Sequence, residues 1–331
     1  MTEYDDQEST QPSAGEILDQ LASGNHDYTL LRSLSQIGDS ELSRLMDMWP
    51  HFTTDRRREL LAKFHQLASE DALLDFHRIH LSMLHDRDVA TRILAVRGIA
   101  LEERPDYLRL LCDQLESDQA APVRAEIADA LGKWVVSMEF GLLSEEDAEE
   151  LEVSLVNRIH DEEEEDEVRG RCLEAIGASS EQTIGELIGE SYEIGSHRLR
   201  VAAIKAMGRS ASETWLPILV FNFDDDDADI RSAAATAAGG LLVDEAVTPL
   251  GMLLDDREIE VQFAAIEALG EIGGEEAERI LTRLQRETPD AATSEAAQEA
   301  LAQAQLLSVP IRDDESMEPD FSDGEIYDSR L

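Results

Sequence analysis

Asp229-Ile230-Arg231-Ser232-Ala233-Ala234-Ala235-Thr236-Ala237-Ala238-Gly239 holds one large aliphatic residue, an arginine beside it, a run dominated by alanine, and a closing glycine. Ile230, Ala234, Ala237 and Ala238 fall at helical spacing, so the stretch reads as a helix with one buried stripe. Small side chains on that stripe let a neighbouring helix come close. The pattern recurs along most of the chain: an apolar residue, often followed by Arg, a small residue near +4, then small, apolar and Gly at +7, +8 and +9. Its copies are Val89 to Gly98, Val123 to Gly132, Val168 to Gly177, Leu199 to Gly208, Ile230 to Gly239 and Val261 to Gly270. Their glycines stand 34, 45, 31, 31 and 31 residues apart. A period repeated three times in succession is the mark of a repeat architecture. Each glycine suits either the left-handed position that ends a helix or a close-packing place inside one that continues.

A second amphipathic stretch precedes most copies: Tyr107 to Leu115, Leu151 to Ile159, Ile184 to Ile188, Trp215 to Phe221, Ala246 to Leu254 and Ala277 to Leu284. The repeating unit is therefore two helices. Pro105, Pro122, Pro217 and Pro249 sit at or near the expected helix starts, where a missing N–H costs little. Helices of about 10 to 14 residues are marginal alone in water, so each pair must bury its apolar face on the pairs before and after it. Weaker copies extend the array, Glu41 to Met48 with Asp55 to Ala68 on one side and Ala277 to Arg286 with Thr293 to Ala304 on the other. The expected fold is all-α: a right-handed α-solenoid of about eight stacked antiparallel helix pairs. Its expected organisation is an acidic N-terminus with capping helices over 1–38, the solenoid over 39–306 with a longer irregular repeat at 133–167, and an acidic, disordered tail over 307–331.

Asp229-Ile230-Arg231 with Ala234, Ala237 and Gly239, and Val123-Arg124 with Ala128, Ala130, Leu131 and Gly132, resemble the second helix of a HEAT repeat. The 31-residue period resembles the bacterial subtype named after phycobilisome (PBS) lyases. The resemblance covers roughly residues 40 to 304 and implies a fold far more than a function. It also brings two enzymatic precedents, deoxyhypusine hydroxylase with its di-iron centre held by repeated His-Glu pairs, and the bilin lyases. No His-Glu dipeptide occurs here; His26-Asp27, His85-Asp86 and His160-Asp161 do not recur at equivalent repeat positions. No residue carries the lyase role across. An enzyme or enzyme accessory of either kind is thus the alternative to a non-catalytic scaffold or regulatory adaptor.

The chain has 331 residues, with 73 Asp and Glu against 28 Lys and Arg, a formal charge of -45. Such a surface repels nucleic-acid phosphate and anionic membranes. No run approaches 18 apolar residues, and the acidic start Met1 to Asp6 is unlike a signal peptide, which places the chain in the cytosol. The acids concentrate between the two helices of each pair: Asp86 and Asp88, Asp118, Asp161 to Glu167, Asp224 to Asp227 with Asp229, and Asp255, Asp256, Glu258 and Glu260. Equivalent loops stack in a solenoid, so these predict an acidic ridge. Single acids there serve as helix caps. The surplus fits either a surface for a basic protein partner, with Asp225, Asp226 and Asp227 as candidates, or adaptation to high salt, with which three lysines against 25 arginines are compatible. Asp224, Asp226 and Ala228 begin like a calcium loop, but it lacks the glycine and the final acid an EF-hand requires.

No P-loop, dinucleotide motif or nucleophile elbow is present, and no catalytic, cofactor or metal residues are assigned. His77 and His80 share a helix without a converging third ligand. Cys112 and Cys172 fall on apolar or small-residue stripes and read as packing residues. The second helices supply the expected partner surface, with Arg92, Glu126, Asp129, Arg171, Glu174, Lys205 and Glu267 at its exposed +3 and +6 places. Arg124, Arg169, Arg200 and Arg231 at +1 read as a ladder of ion pairs between repeats. The long interval between Gly132 and Gly177 contains Trp134, Val135, Val136, Met138, Phe140, Leu142 and Leu143 ahead of the acidic Ser144 to Glu150. It reads first as an extension of the core and second as a docking site, with Trp134, Val135, Met138 and Phe140 as anchors. The tail after Pro310 reads as solubilising, or as a short docking motif.

Overall fold

A computed structural model describes residues 13–23, 28–101 and 104–307. Helix α1 (Ala14–Ala22) and a 3-10 segment (Tyr28–Leu34) lead into eight helix pairs. These are α2 (Asp39–Met48) with α3 (Thr54–Glu70), α4 (His77–Met83) with α5 (Val89–Ile99), α6 (Pro105–Ser117) with α7 (Ala121–Glu139), and α8 (Glu145–His160) with α9 (Asp166–Ile176). They continue with α10 (Gln182–Ile194) and α11 (His197–Arg209), α12 (Leu216–Phe221) and α13 (Ala228–Gly240), α14 (Val247–Leu253) and α15 (Ile259–Ile272), and α16 (Gly274–Glu287) and α17 (Ala291–Leu307). The described residues contain no strand. The acidic residues 1–12 and the tail from residue 308 lie outside the described residues.

Local chemistry sets the helix starts. Ser13, Thr53, Asp88, Ser144, Ser196 and Asp227 each accept a backbone N–H of the turn they open, satisfying donors that have no partner within the helix. Pro105, Pro122 and Pro217 occupy the first or second place of α6, α7 and α12. From α5 onward each second helix packs on its own first helix and on the second helices of the neighbouring pairs, while contacts between first helices are sparser. The second helices therefore form the closely spaced row, and one continuous apolar core runs between the rows from Ile17 to Ala300.

The recurring glycines make that close spacing possible. Gly208, Gly239 and Gly270 lie inside α11, α13 and α15, and Gly177 ends α9 at φ −56°, so the left-handed alternative does not hold. A Cβ on Gly177, Gly208 or Gly239 would stand 2.8, 2.5 or 2.7 Å from the Cα of Ala206, Ala237 or Ala268 in the next repeat. Glycine at +9 thus meets alanine at +7 one repeat on, backbone against backbone.

The first copy departs from this register. Thr91, not Val89, is the fully buried residue; Val89 is exposed. Gly98 faces the His80 ring of its own pair rather than the next repeat. Counting from Thr91 puts Arg92 at +1, with consequences for its role.

Candidate partner-binding surface

The arginine ladder is built from repeated local geometry. Arg92, Arg124 and Arg231 each donate Nη1 to the carbonyl six residues back, in Asp86, Asp118 and Asp225, at 2.8, 2.7 and 2.9 Å. Their Nε and Nη2 then grip a carboxylate of the next repeat: Asp118 at 2.8 and 2.9 Å, Glu164 at 2.7 and 2.6 Å, Asp256 at 2.8 Å twice. Arg57 also reaches Asp86 in the next repeat, donating Nη1 to both carboxylate oxygens at 2.8 and 2.6 Å, and Arg200 reaches Asp225 at 3.2 Å. Each of these acids also accepts a backbone N–H within its own loop. Arg169 has no such partner, because the following loop is Gly195-Ser196; it binds the Ile159 carbonyl and Asp166 instead. In α15, Gln262 takes the arginine's place, donating to the Asp256 carbonyl.

The ladder divides the expected acidic ridge in two. Asp86, Asp118, Glu164 and Asp256 have side chains 4%, 3%, 2% and 11% exposed, which makes them interior parts of the scaffold. Burial opposes the charge on Asp118 and Glu164, yet the guanidiniums of Arg92 and Arg124 hold both carboxyls below the usual range. Arg231 does the same for Asp256. Of the three acids proposed as a partner surface, Asp225 belongs to the ladder and Asp227 caps α13 and meets His197 at 2.8 Å. Asp226 faces outward.

Arg92 is likewise a ladder residue rather than a free position on the second-helix face. Of the other candidates there, Arg171, Glu174 and Lys205 lie along a groove on α9, α11, α13 and α15. Its largest section, about 940 Å³, has Ser232, Ala233, Thr236 and Ala237 of α13 as floor, Lys205 and Arg209 of α11 on one side, and Glu260 and Glu271 of α15 on the other. Burial and nearby Glu267 push the Glu271 carboxyl above its ordinary range. A second section continues past Arg198 and Val201 to Arg171 and Glu167. Glu174, expected exposed, is buried; it takes Lys205 at 3.4 Å and Arg171 at 3.6 Å. Small floor residues follow from the tight helix packing, so the same alanines that close the core open the trench.

In the irregular repeat the structure separates the proposed anchors. Trp134 and Val135 are buried in the core, which rules them out as contact residues in this fold. Met138 is half-buried, while Phe140 and Leu142 are 75% and 74% exposed. The repeat thus both extends the core and leaves apolar surface at its end.

Candidate chemistry is thin. Burial pushes the Cys112 thiol up to about 12 and also raises Cys172, the opposite of what a nucleophile needs. His80 is fully buried with neither ring nitrogen bonded, and burial pushes it down to about 3. Among the described residues one trio of metal-type donors converges, His197, Asp227 and Asp229, within 4.8 Å. It sits at the N-termini of α11 and α13, where the helix dipoles disfavour a cation, and Asp227 already serves as a cap.

Residues 152–239 and 221–302 match the family model for HEAT repeats. Residues 152–302 are therefore HEAT repeats. No curated protein matches the sequence. Among solved structures the chain is similar to YibA of E. coli, at 18% identity over 76% of this chain and 98% of that one, TM-score 0.43. It is also similar to the CpcE–CpcF complex of phycocyanin lyase from Nostoc, at 15% identity over 69% and 94%, TM-score 0.44. Human deoxyhypusine hydroxylase in complex with glycerol matches at 15% identity over 73% and 97%, TM-score 0.32. At these scores none of the three says what this chain does. No helix among the described residues is long and apolar enough to cross a membrane.

Proposed function

We propose that this HEAT-repeat chain is a cytosolic, non-catalytic scaffold or adaptor that holds a protein partner against the row of second helices. The groove on α11, α13 and α15 carries the reading. It is floored by small side chains, with Lys205 and Arg209 beside Glu174 on one wall and Glu260 and Glu271 on the other. Such a surface suits a polypeptide, whose backbone and mixed side chains can lie along it, better than a small substrate, which needs an enclosing pocket. Electrostatic complementarity then sets orientation and encounter rate. The overall acidity favours a partner with a basic face and disfavours nucleic acid and anionic membranes.

Photo-crosslinking residues placed at Thr236 in the groove and at Met252 on the opposite row test this in native lysate. The expected result is discrete protein adducts from Thr236 alone, lost when Ala233→Trp fills the trench. Equal adducts from both positions, or none from Thr236, would refute it. Stoichiometric iron in the purified protein would favour the hydroxylase-like alternative.

A further inference from the structure

We propose that the turn joining α7 to α8 is a docking site for a basic, amphipathic segment of another protein. The inference rests on the scaffold reading and places an additional contact outside the groove. Helix α7 runs 19 residues where α9, α11 and α13 run 11, 13 and 13, so at 1.5 Å per residue it is roughly 9 Å longer than α11. The extra length does not end in core. Val136 and Phe140, one turn apart on the same face, are 43% and 75% exposed, Leu142 is 74% exposed, and Val153 of α8 is 49% exposed. Val153 also lines a cavity of about 670 Å³, together with Met138 and Glu139 from the end of α7 and Ala148 of α8. Its charged lining is entirely acidic: Glu139, Glu145, Glu149, Glu152 and Glu181, with no Lys, Arg or His.

Both halves of this arrangement oppose the isolated fold. Exposed aromatic and aliphatic surface is unfavourable in water, and Glu145, Glu149 and Glu152, spaced four and three apart on α8, repel one another. An apolar anchor flanked by Lys or Arg relieves both at once. A second copy of this chain is a poor occupant, since it would bring the same glutamates and a charge of -45 face to face. The chain's own residues 312–331 hold eight acids against two arginines and are repelled likewise. An apolar patch with a charged rim is the usual form of a binding hot spot.

The test uses the full chain and three labelled peptides: a Lys/Leu amphipathic helix, its Glu-for-Lys counterpart and its Ser-for-Leu counterpart. Only the first should bind, and hydrogen exchange should show protection over 136–153. Phe140→Ser with Leu142→Ser, and separately Glu145→Gln with Glu149→Gln and Glu152→Gln, should each weaken binding about tenfold or more. Asp224→Asn with Glu245→Gln and Asp255→Asn makes the same charge change at exposed positions elsewhere and should alter it by less than about threefold. Circular dichroism confirms that each variant is folded. No binding, an equal loss in the loop control, or protection over α11 to α15 instead of the turn would overturn the inference. The last outcome would leave the groove reading standing; protection of the turn with no adducts from Thr236 would do the reverse.

Discussion

Replacing Gly208 by alanine isolates the contact on which the tight row of helices depends. The new Cβ would lie 2.5 Å from the Cα of Ala237 and 2.8 Å from its Cβ and carbonyl oxygen, where carbon atoms ordinarily rest about 3.5 to 4.0 Å apart. Helices α11 and α13 must separate there by about 1 Å, because backbone cannot rotate out of the way as a side-chain tip can. Overpacking of this kind costs about 1–3 kcal/mol, and a clash with backbone belongs at the upper end. Against it stands the helix preference for Ala over Gly, about 0.8–1 kcal/mol. The net expectation is a loss of about 1–2 kcal/mol. Gly185 of α10 supplies the control, since a Cβ there meets nothing within 4 Å; Gly185→Ala should gain up to about 1 kcal/mol. Adding Ala237→Gly to Gly208→Ala should recover only part of the loss, because the Cα and carbonyl contacts persist. Urea unfolding followed by circular dichroism reads all three. If Gly208→Ala proves as stabilising as Gly185→Ala, the close approach is not what the glycines are for.

Arg231→Met should cost about 3 kcal/mol or more, since it leaves Asp256 largely buried with only the Glu258 N–H. Arg169→Met, which cuts no bond to the next repeat, should cost about 1 kcal/mol or less in the same urea assay. Acid should act in two stages. His80, packed against Gly98 and facing His65, His77 and Asp75, is held neutral with its value lowered from 6.5 to about 3. Its contribution is therefore complete above pH 6.5 and lost as pH falls toward 3. The ladder acids Asp118, Glu164 and Asp256 are lowered from ordinary values of 3.8 and 4.5, so theirs is lost only below about 4. Burial lowers His65 as well, so His80→Phe should shrink the first stage, between 6.5 and 4.5, and His80→Phe with His65→Phe should remove most of it; an unchanged profile in His80→Phe would mean that His80 is not a source.

The period was readable because backbone contact between neighbouring repeats tolerates only glycine and alanine, and those residues mark each copy. The first copy was misread because threonine replaces the apolar residue that opens the others, so Val89 drew the frame two places early. Arg92 consequently looked like a free surface residue. The acids resisted sequence reading for another reason. Asp225 and Asp226 are chemically identical neighbours, and only the reach of Arg200 from the preceding repeat turns one into scaffold while the other faces water. Trp134 and Val135 continue the buried stripe of Ile127, Ala128 and Leu131, whereas Val136 and Phe140 fall on the opposite side of the same helix. Helical phase alone separates core from exposed surface there.

The ladder also narrows the meaning of the net charge. Each arginine–carboxylate pair in it is neutral, so none of the -45 resides in the ladder acids; the whole excess belongs to acids outside the ladder. Such pairs are screened little by salt, while exposed charges are damped beyond about 10 Å at 0.1 M. Salt therefore acts on the two explanations of the acidity with opposite sign. If the surface is an adaptation to high salt, low ionic strength leaves its self-repulsion unopposed and the fold weak, and added salt strengthens it. If the surface attracts a basic partner, the fold is already firm at low ionic strength, because the ladder and the glycine–alanine contacts hold it, and added salt weakens only the encounter. The all-acidic lining of the α7–α8 cavity favours the second: solubility in brine needs charge spread over a surface, and gains nothing from gathering it in one cavity beside exposed Val153.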